Sequence, residues 1–147
     1  MPRNSIIISS GIYHPEKYIS KDDYITKYGP DIIPFFEKTH INGKYVCAEN
    51  ESSLEMAVNA SNEALKNAKL TSQDIDLIIL STDTPAYLSP ATSVAVQGLI
   101  GAKNAGTFDI NCACAGFVTA LITANNFIKS DEKINRVLVI GTYAMTK

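Results

Sequence analysis

Short apolar runs alternate with helical periodicities along most of the chain. Asp76–Ser81, Thr107–Asn111 and Arg136–Gly141 are compact runs of the kind that forms buried strands. Between them, apolar residues recur every three or four positions, which predicts helices such as one from about Cys114 to Ser130. Alternating strands and helices are typical of a layered α/β domain. We therefore predict a single domain over residues 1–147, with a mixed, mainly parallel sheet and helices on both faces.

Capping signals mark where two of the helices begin. Ser20 with Asp23, and Ser52 with Glu55, have the spacing of capping boxes, in which two side chains and two amides satisfy one another. We expect the first helix to run to about Tyr28, since Gly29-Pro30 follows it.

Two further boundaries rest on proline and β-branched residues. Ser89-Pro90 predicts the N-cap and first residue of a helix that would end at Gly101. Ser5–Gly11 contains three consecutive isoleucines and ends in glycine, which predicts an N-terminal strand followed by a loop.

Composition excludes several classes of protein. The 147 residues are 46% hydrophobic and 19% charged, which excludes a disordered chain, and the net charge of -2 does not favour a nucleic-acid partner. The uncharged stretches 84–102 and 110–128 carry prolines or asparagines, so we expect no membrane span. Three cysteines do not make a disulfide scaffold, and we expect a cytoplasmic protein.

The segment Asp109–Phe117 (DINCACAGF) carries the most chemical information. It passes from a strand through small residues into an apolar helix, and Cys114 would lie in the first turn of that helix. The positive end of a helix dipole favours a nucleophilic thiolate there, and the Cys114 amide could donate to an oxyanion. The alternative is a cysteine buried as a small hydrophobe.

A metal site would need about four ligands, and because only Cys47, His14 and His40 could join the pair of cysteines, we expect no metal.

Asp109–Phe117 resembles the active-site motif of the β-ketoacyl-acyl-carrier-protein synthase III group, within the thiolase-like superfamily. Ile6–Pro15 (IIISSGIYHP), Lys38–Ile41 (KTHI) and Val137–Thr142 (VLVIGT) are similar to flanking segments of that family, in the same order. The resemblance covers nearly the whole chain but only the N-terminal half of a family member. It identifies Cys114 as the acyl-accepting residue.

The resemblance implies acyl transfer in fatty acid or related polyketide-type biosynthesis. An acyl-CoA or acyl-carrier-protein thioester would acylate Cys114, and malonyl-carrier protein would then condense with the acyl group and lose carbon dioxide. The histidine and asparagine that the family uses for decarboxylation belong to its second half, and neither His14 nor His40 matches them. No covalently bound cofactor is implied.

The resemblance also implies substrate-binding residues and partners. Phe35 or Phe36 would stack on a base and Lys38 would meet a phosphate, while Tyr87 and Leu88 fall where the family lines its acyl pocket. A homodimer paired through Thr107–Asn111 is expected. Two alternatives stay open: a hydroxymethylglutaryl-CoA synthase-like acyltransferase, and a non-catalytic half-protein that pairs with a separate second-half chain.

Overall fold

The computed structural model describes residues 3–146, which form two compact units. The smaller unit comprises His14–Glu51 together with Thr146, and the larger comprises residues 3–13 and Ser52–Met145. Across the described residues, no helix is both long and apolar enough to cross a lipid bilayer.

The smaller unit is a two-stranded antiparallel sheet with two short helices. Strand β1 (Lys17–Ser20) pairs with β2 (Gly43–Val46), and sequence analysis missed both strands. Helix α1 (Lys21–Tyr28) begins at the predicted capping box, in which Ser20 donates to the Asp23 carboxylate. These hydrogen bonds lower the pKa of Asp23 from its ordinary value. Helix α2 (Ile33–Thr39) follows a single 3-10 turn and contains Phe35 and Phe36.

The larger unit alternates helices and strands, as predicted. In chain order its elements are α3 (Ser53–Ala68), β3 (Leu77–Ser81), α4 (Thr92–Ile100), β4 (Gly106–Ile110), α5 (Gly116–Ser130) and β5 (Val137–Gly141). The capping box of Ser52 and Glu55 opens α3, which confirms that prediction. Single 3-10 turns cover Ser72–Asp74 and Ala113–Ala115.

The three strands of the larger unit form a parallel sheet in the order β4-β3-β5. All five residues of the central strand β3 are buried, as a continuous apolar run predicts. Ile78 and Leu80 pack against α3 and α4, whereas Leu77 and Ile79 pack against α5. Successive side chains of a strand point to opposite faces, so β3 joins two apolar layers into one α/β/α core.

Two local predictions are wrong. Ser5–Gly11 forms no strand. Isoleucines favour a strand only where they pack on a pleated sheet, and no neighbouring backbone pairs with this segment. Ser89-Pro90 does not start α4, which begins at Thr92 with Ala91 as an N-cap that provides no side-chain hydrogen bond. A side chain of β4, Asp109, accepts hydrogen bonds from the first amides of α4 instead.

Candidate active site

The carboxyl ends of the three parallel strands meet at one edge of the sheet. Ser81 at the end of β3 is in register with Ile110 of β4 and with Gly141 of β5. The pairing continues one step further, since the Thr82 amide donates to Ile110 O (3.2 Å) and the Thr142 amide donates to Ser81 O (3.1 Å). In open α/β sheets this edge is where ligands bind.

The residues after β4 form a tight turn that carries two cysteines. The Ala113 amide donates to Asn111 Oδ1 (3.3 Å), and the Ala115 amide donates to Cys112 O (3.1 Å). Ala113 has φ 46°, a left-handed conformation that is unfavourable for residues with a Cβ because the Cβ crowds the following carbonyl oxygen. Helix α5 begins only at Gly116, so Cys114 lies in the 3-10 turn directly before the helix. The prediction that Cys114 lies in the first turn of the helix is therefore wrong.

Cys114 is accessible to solvent, as is Cys112, whereas Cys47 is partly buried. The alternative of a cysteine buried as a small hydrophobe therefore does not apply to Cys114. Within residues 3–146, the Cys114 amide donates no hydrogen bond to another protein group. A thiol and an unpaired amide of the same residue are thus both available at the end of β4.

Gly116 brings the start of α5 into close contact with the end of β3. Gly116 is buried, and a Cβ at this position would collide with the Ser81 hydroxyl oxygen. At the neighbouring strand end, a Cβ on Gly141 would lie 3.0 Å from Cδ2 of Phe117. Gly116 and Gly141 therefore allow the close approach of α5 to the ends of β3 and β5, next to the turn with Cys114.

Asp109 anchors the same region from the opposite face of β4. Its two carboxylate oxygens accept hydrogen bonds from the amides of Thr92 (2.8 Å) and Ser93 (2.9 Å), the first two residues of α4. A carboxylate satisfies the unpaired amides and the positive end of the dipole at such a helix start. Sequence analysis missed this role, although a lone charge in an otherwise apolar strand was a signal that it had a buried partner.

Tyr87 and Leu88 lie in the loop between β3 and α4, in the same unit as Cys114. Tyr87 is half-exposed and Leu88 is 96% exposed, so both apolar side chains are free to contact a ligand. The loop is tied at both ends, because the Ala144 amide donates to Thr84 Oγ1 (2.9 Å) and the Ala86 amide donates to Thr92 Oγ1 (3.2 Å).

The other predicted binding residues belong to the smaller unit. Phe36 is buried against Tyr24, with ring centroids 5.9 Å apart, whereas Phe35 is about half-exposed and has Lys44 Nζ 5.7 Å from its ring centroid. Lys38 is exposed near the end of α2. Of the two phenylalanines, Phe35 is therefore the one that a ligand can reach. No group of three metal-ligating side chains converges anywhere in the described part of the chain.

Comparison with known proteins places this arrangement in a family context. The family model for 3-oxoacyl-[acyl-carrier-protein] synthase III matches residues 108–147. A β-ketoacyl-[acyl-carrier-protein] synthase III of Ehrlichia canis is 37% identical over 145 residues, which are 99% of this chain and 45% of that protein. The chain thus spans less than half the length of this curated relative.

Solved structures agree with the sequence similarity. The crystal structure of 3-oxoacyl-[acyl-carrier-protein] synthase III from Aquifex aeolicus matches with a TM-score of 0.88 and 37% identity, over 95% of this chain and 45% of that chain. The priming β-ketosynthase of the R1128 polyketide pathway matches with a TM-score of 0.91 and 34% identity, over 99% and 43% respectively. The match confirms the predicted α/β fold.

Proposed function

Because this chain corresponds to the N-terminal half of a β-ketoacyl-[acyl-carrier-protein] synthase III-like protein with the thiolase fold, we propose that Cys114 accepts an acyl group from a thioester. The single observation that carries the proposal is the accessible Cys114 thiol beside its own unpaired amide, where the parallel strands end. Covalent catalysis by a cysteine divides a difficult acyl transfer into two easier steps.

The acylation step follows from these two groups. Cys114 Sγ attacks the thioester carbonyl and forms a new carbon–sulfur bond, and the oxygen of the tetrahedral intermediate accepts a hydrogen bond from the Cys114 amide. Collapse of the intermediate breaks the bond to the donor sulfur, and the proton lost by Cys114 ends on the released thiol. The acyl-enzyme and a free donor thiol are the products.

We assign the later condensation with malonyl-carrier protein to the complete synthase. His14 and His40 lie in the smaller unit, where His14 stacks on Tyr45 and His40 is an exposed residue at the end of α2. Neither matches the family's decarboxylating histidine, which the resemblance assigns to the second half. The activity proposed for the present chain is therefore acylation without condensation.

The acyl donor is a coenzyme A or carrier-protein thioester. Phe35 offers an accessible ring for a base, and Lys38 offers a cation for a phosphate. Tyr87 and Leu88 supply apolar surface for an acyl chain. Three free cysteines suit a reducing compartment, so we place this chemistry in the cytoplasm.

A mass-spectrometric assay tests acylation directly. Incubation with acetyl-CoA should add one acetyl group to the chain, and Cys114→Ser should abolish the adduct. Cys112→Ser is the matched control, since the Cys112 thiol is also exposed and lies only two residues away, and this substitution should leave the adduct intact. An adduct that survives in Cys114→Ser, or that disappears only in Cys112→Ser, would contradict the proposed role.

We further propose that two copies associate through β4. This strand lies at one edge of the sheet, so its outer backbone groups have no strand partner in the described structure. A symmetric antiparallel contact would satisfy them and close the assembly. Sedimentation velocity at micromolar concentration should show a dimer, with slower hydrogen exchange in Gly106–Ile110 as concentration rises. A monodisperse monomer would contradict this assembly.

A further inference from the structure

Two exposed thiols lie after the end of β4 with one residue between them. Cys112 and Cys114 are both accessible, and in the described part of the chain both are free thiols. The acylation proposed above uses only Cys114, which leaves the Cys112 thiol without an assigned role. Whether two neighbouring thiols can react with each other depends on the shape of the turn that joins them.

The turn brings the backbones of the two cysteines within the span of a disulfide. Two residues of fully extended chain span roughly 7 Å between Cα atoms. The chain is folded here, because the Ala115 amide donates to Cys112 O (3.1 Å) and the next amide donates to Ala113 O. Ala113, between the cysteines, has φ 46°. The Cα atoms of Cys112 and Cys114 are therefore closer than in extended chain and fall within the range of about 4.4–6.8 Å that disulfides bridge.

A bond between these two residues would close a very small loop, with only Ala113 inside it. Such a loop removes less chain entropy from the unfolded state than a long one, so the bond would add less stability. Ala113 is already in an unfavourable left-handed conformation, and departures from ideal disulfide geometry make a bond easier to reduce. Disulfides that are strained or exposed are the labile and regulatory ones, so this pair suits a reversible bond and not a structural one.

We propose that Cys112 and Cys114 form a reversible intramolecular disulfide when the chain meets hydrogen peroxide, with Cys112 as the resolving thiol. In the first step Cys114 Sγ bonds to one peroxide oxygen, the oxygen–oxygen bond breaks, and Cys114 sulfenic acid and one water are formed. In the second step Cys112 Sγ attacks the Cys114 sulfur, the sulfur–oxygen bond breaks, and a second water leaves. The two thiols together lose two electrons and two protons, and the peroxide is reduced to two waters.

The bond would hold the nucleophile in a protected and inactive form. A Cys114 sulfur bonded to Cys112 cannot attack a thioester. A sulfenic acid without a resolving thiol is open to further oxidation to sulfinic acid, which a dithiol does not reverse. A dithiol reductant attacks the disulfide by thiol exchange and restores both thiols. The pairing rests on the turn alone, whereas the loss of acylation rests on the proposed function of Cys114.

Mass spectrometry of the peroxide-treated chain tests the pairing. Hydrogen peroxide should lower the mass of the reduced chain by about 2 Da, for two lost hydrogen atoms, and leave one thiol open to N-ethylmaleimide after denaturation. The bond should map to the peptide that contains Cys112 and Cys114, and the control Cys47→Ser should form it equally. A bond that includes Cys47, or one that joins two chains, would overturn the proposal. So would oxidation of Cys112 and Cys114 to separate sulfinic acids without a bond.

Acetylation by acetyl-CoA measures the consequence for Cys114. In the unsubstituted chain, acetylation should fall about tenfold or more after excess hydrogen peroxide and return after dithiothreitol. In Cys112→Ser it should start at the same level, fall after peroxide and stay low after dithiothreitol, with about 32 Da added at Cys114. Equal recovery in both chains would overturn the role of Cys112. A chain that forms the bond but takes no acetyl group before peroxide would support the pairing and refute the proposed function.

Phenylarsine oxide measures the proximity of the two thiols without any oxidation. Its trivalent arsenic, a soft centre that prefers thiolates, bonds to two sulfurs at once and releases one water. The reduced chain should bind one equivalent, and Cys112→Ser and Cys114→Ser should each bind about tenfold more weakly or worse, because one sulfur is lost. Cys47→Ser should bind like the unsubstituted chain. Equal binding by all three variants would show that the two thiols do not act as a pair and would overturn the proposal.

Discussion

The two helices that follow β3 and β4 begin at the same edge of the sheet in opposite ways. The first amides of α4 are held by the Asp109 carboxylate, and Thr92 and Ser93 are fully buried. The turn before α5 has no side-chain cap, contains Ala113 in a left-handed conformation and leaves Cys112 and Cys114 exposed.

This difference shows that one sheet edge can hold both a capped helix start and an open turn. A capped helix start has its donors occupied and cannot offer them to a ligand, whereas an uncapped start leaves donors available at some cost in stability. The capped start of α4 and the open start of α5 are neighbours because Asp109, which caps α4, and Cys114 are only five residues apart in the chain. Changes on either side should therefore have separable effects.

Removal of the Asp109 carboxylate should have the largest effect on stability. Asp109→Ala leaves two amides of α4 without partners in a partly buried site, which should lower the free energy of unfolding by about 2–3 kcal/mol. Urea denaturation followed by circular dichroism measures the loss. Asp109→Asn keeps one acceptor oxygen, so its free energy of unfolding should fall by less. Asp83→Ala, at an exposed loop position, should lower the free energy of unfolding by under about 0.5 kcal/mol. Equal stability of all three variants would contradict the tertiary cap.

A methyl group at Gly116 should disturb the contact between α5 and β3. Gly116→Ala should destabilise the chain by about 1–2 kcal/mol, because the new Cβ meets the Ser81 hydroxyl. The double variant Ser81→Ala/Gly116→Ala removes that oxygen and should recover most of the loss, since alanine is favoured over glycine in a helix. A double-mutant cycle with no coupling would show that the close contact does not limit stability.

Relief of the left-handed backbone at Ala113 should have the smallest effect. Ala113→Gly should raise the free energy of unfolding by up to about 1 kcal/mol, because glycine adopts a positive φ without steric cost. Ala115→Gly is the control, since Ala115 is an exposed neighbour with φ -87°. This substitution should lower the free energy of unfolding by about 0.5–1 kcal/mol. Losses of similar size in both variants would indicate that the turn is not strained.

Most elements of the larger unit could be predicted from the chain because their signals are local. Apolar runs identified β3, β4 and β5 within one residue at either end, and the capping boxes at Ser20 and Ser52 identified the starts of α1 and α3. The site segment was recognised from the residues around Cys114, which combine a strand end, small side chains and a following helix. These features depend on near neighbours in the sequence.

The errors arose where a distant segment supplies the partner. β1 and β2 are separated by more than twenty residues, and neither has a strong apolar pattern of its own. Ser89-Pro90 carried a plausible local cap, yet the carboxylate that holds α4 comes from Asp109, seventeen residues beyond Thr92. Ser5–Gly11 has the composition of a strand but no backbone beside it to pair with.

The sequence by itself determined the order of the elements in the larger unit, two of the helix starts and the segment that carries Cys114, because periodicity, capping boxes and small-residue turns act over a few positions. Only the tertiary structure decided that Asp109 caps α4 and that Gly116 must admit Ser81. Each of these depends on which backbone and which polar atom a folded neighbour brings within contact distance, and one-dimensional spacing does not specify that neighbour.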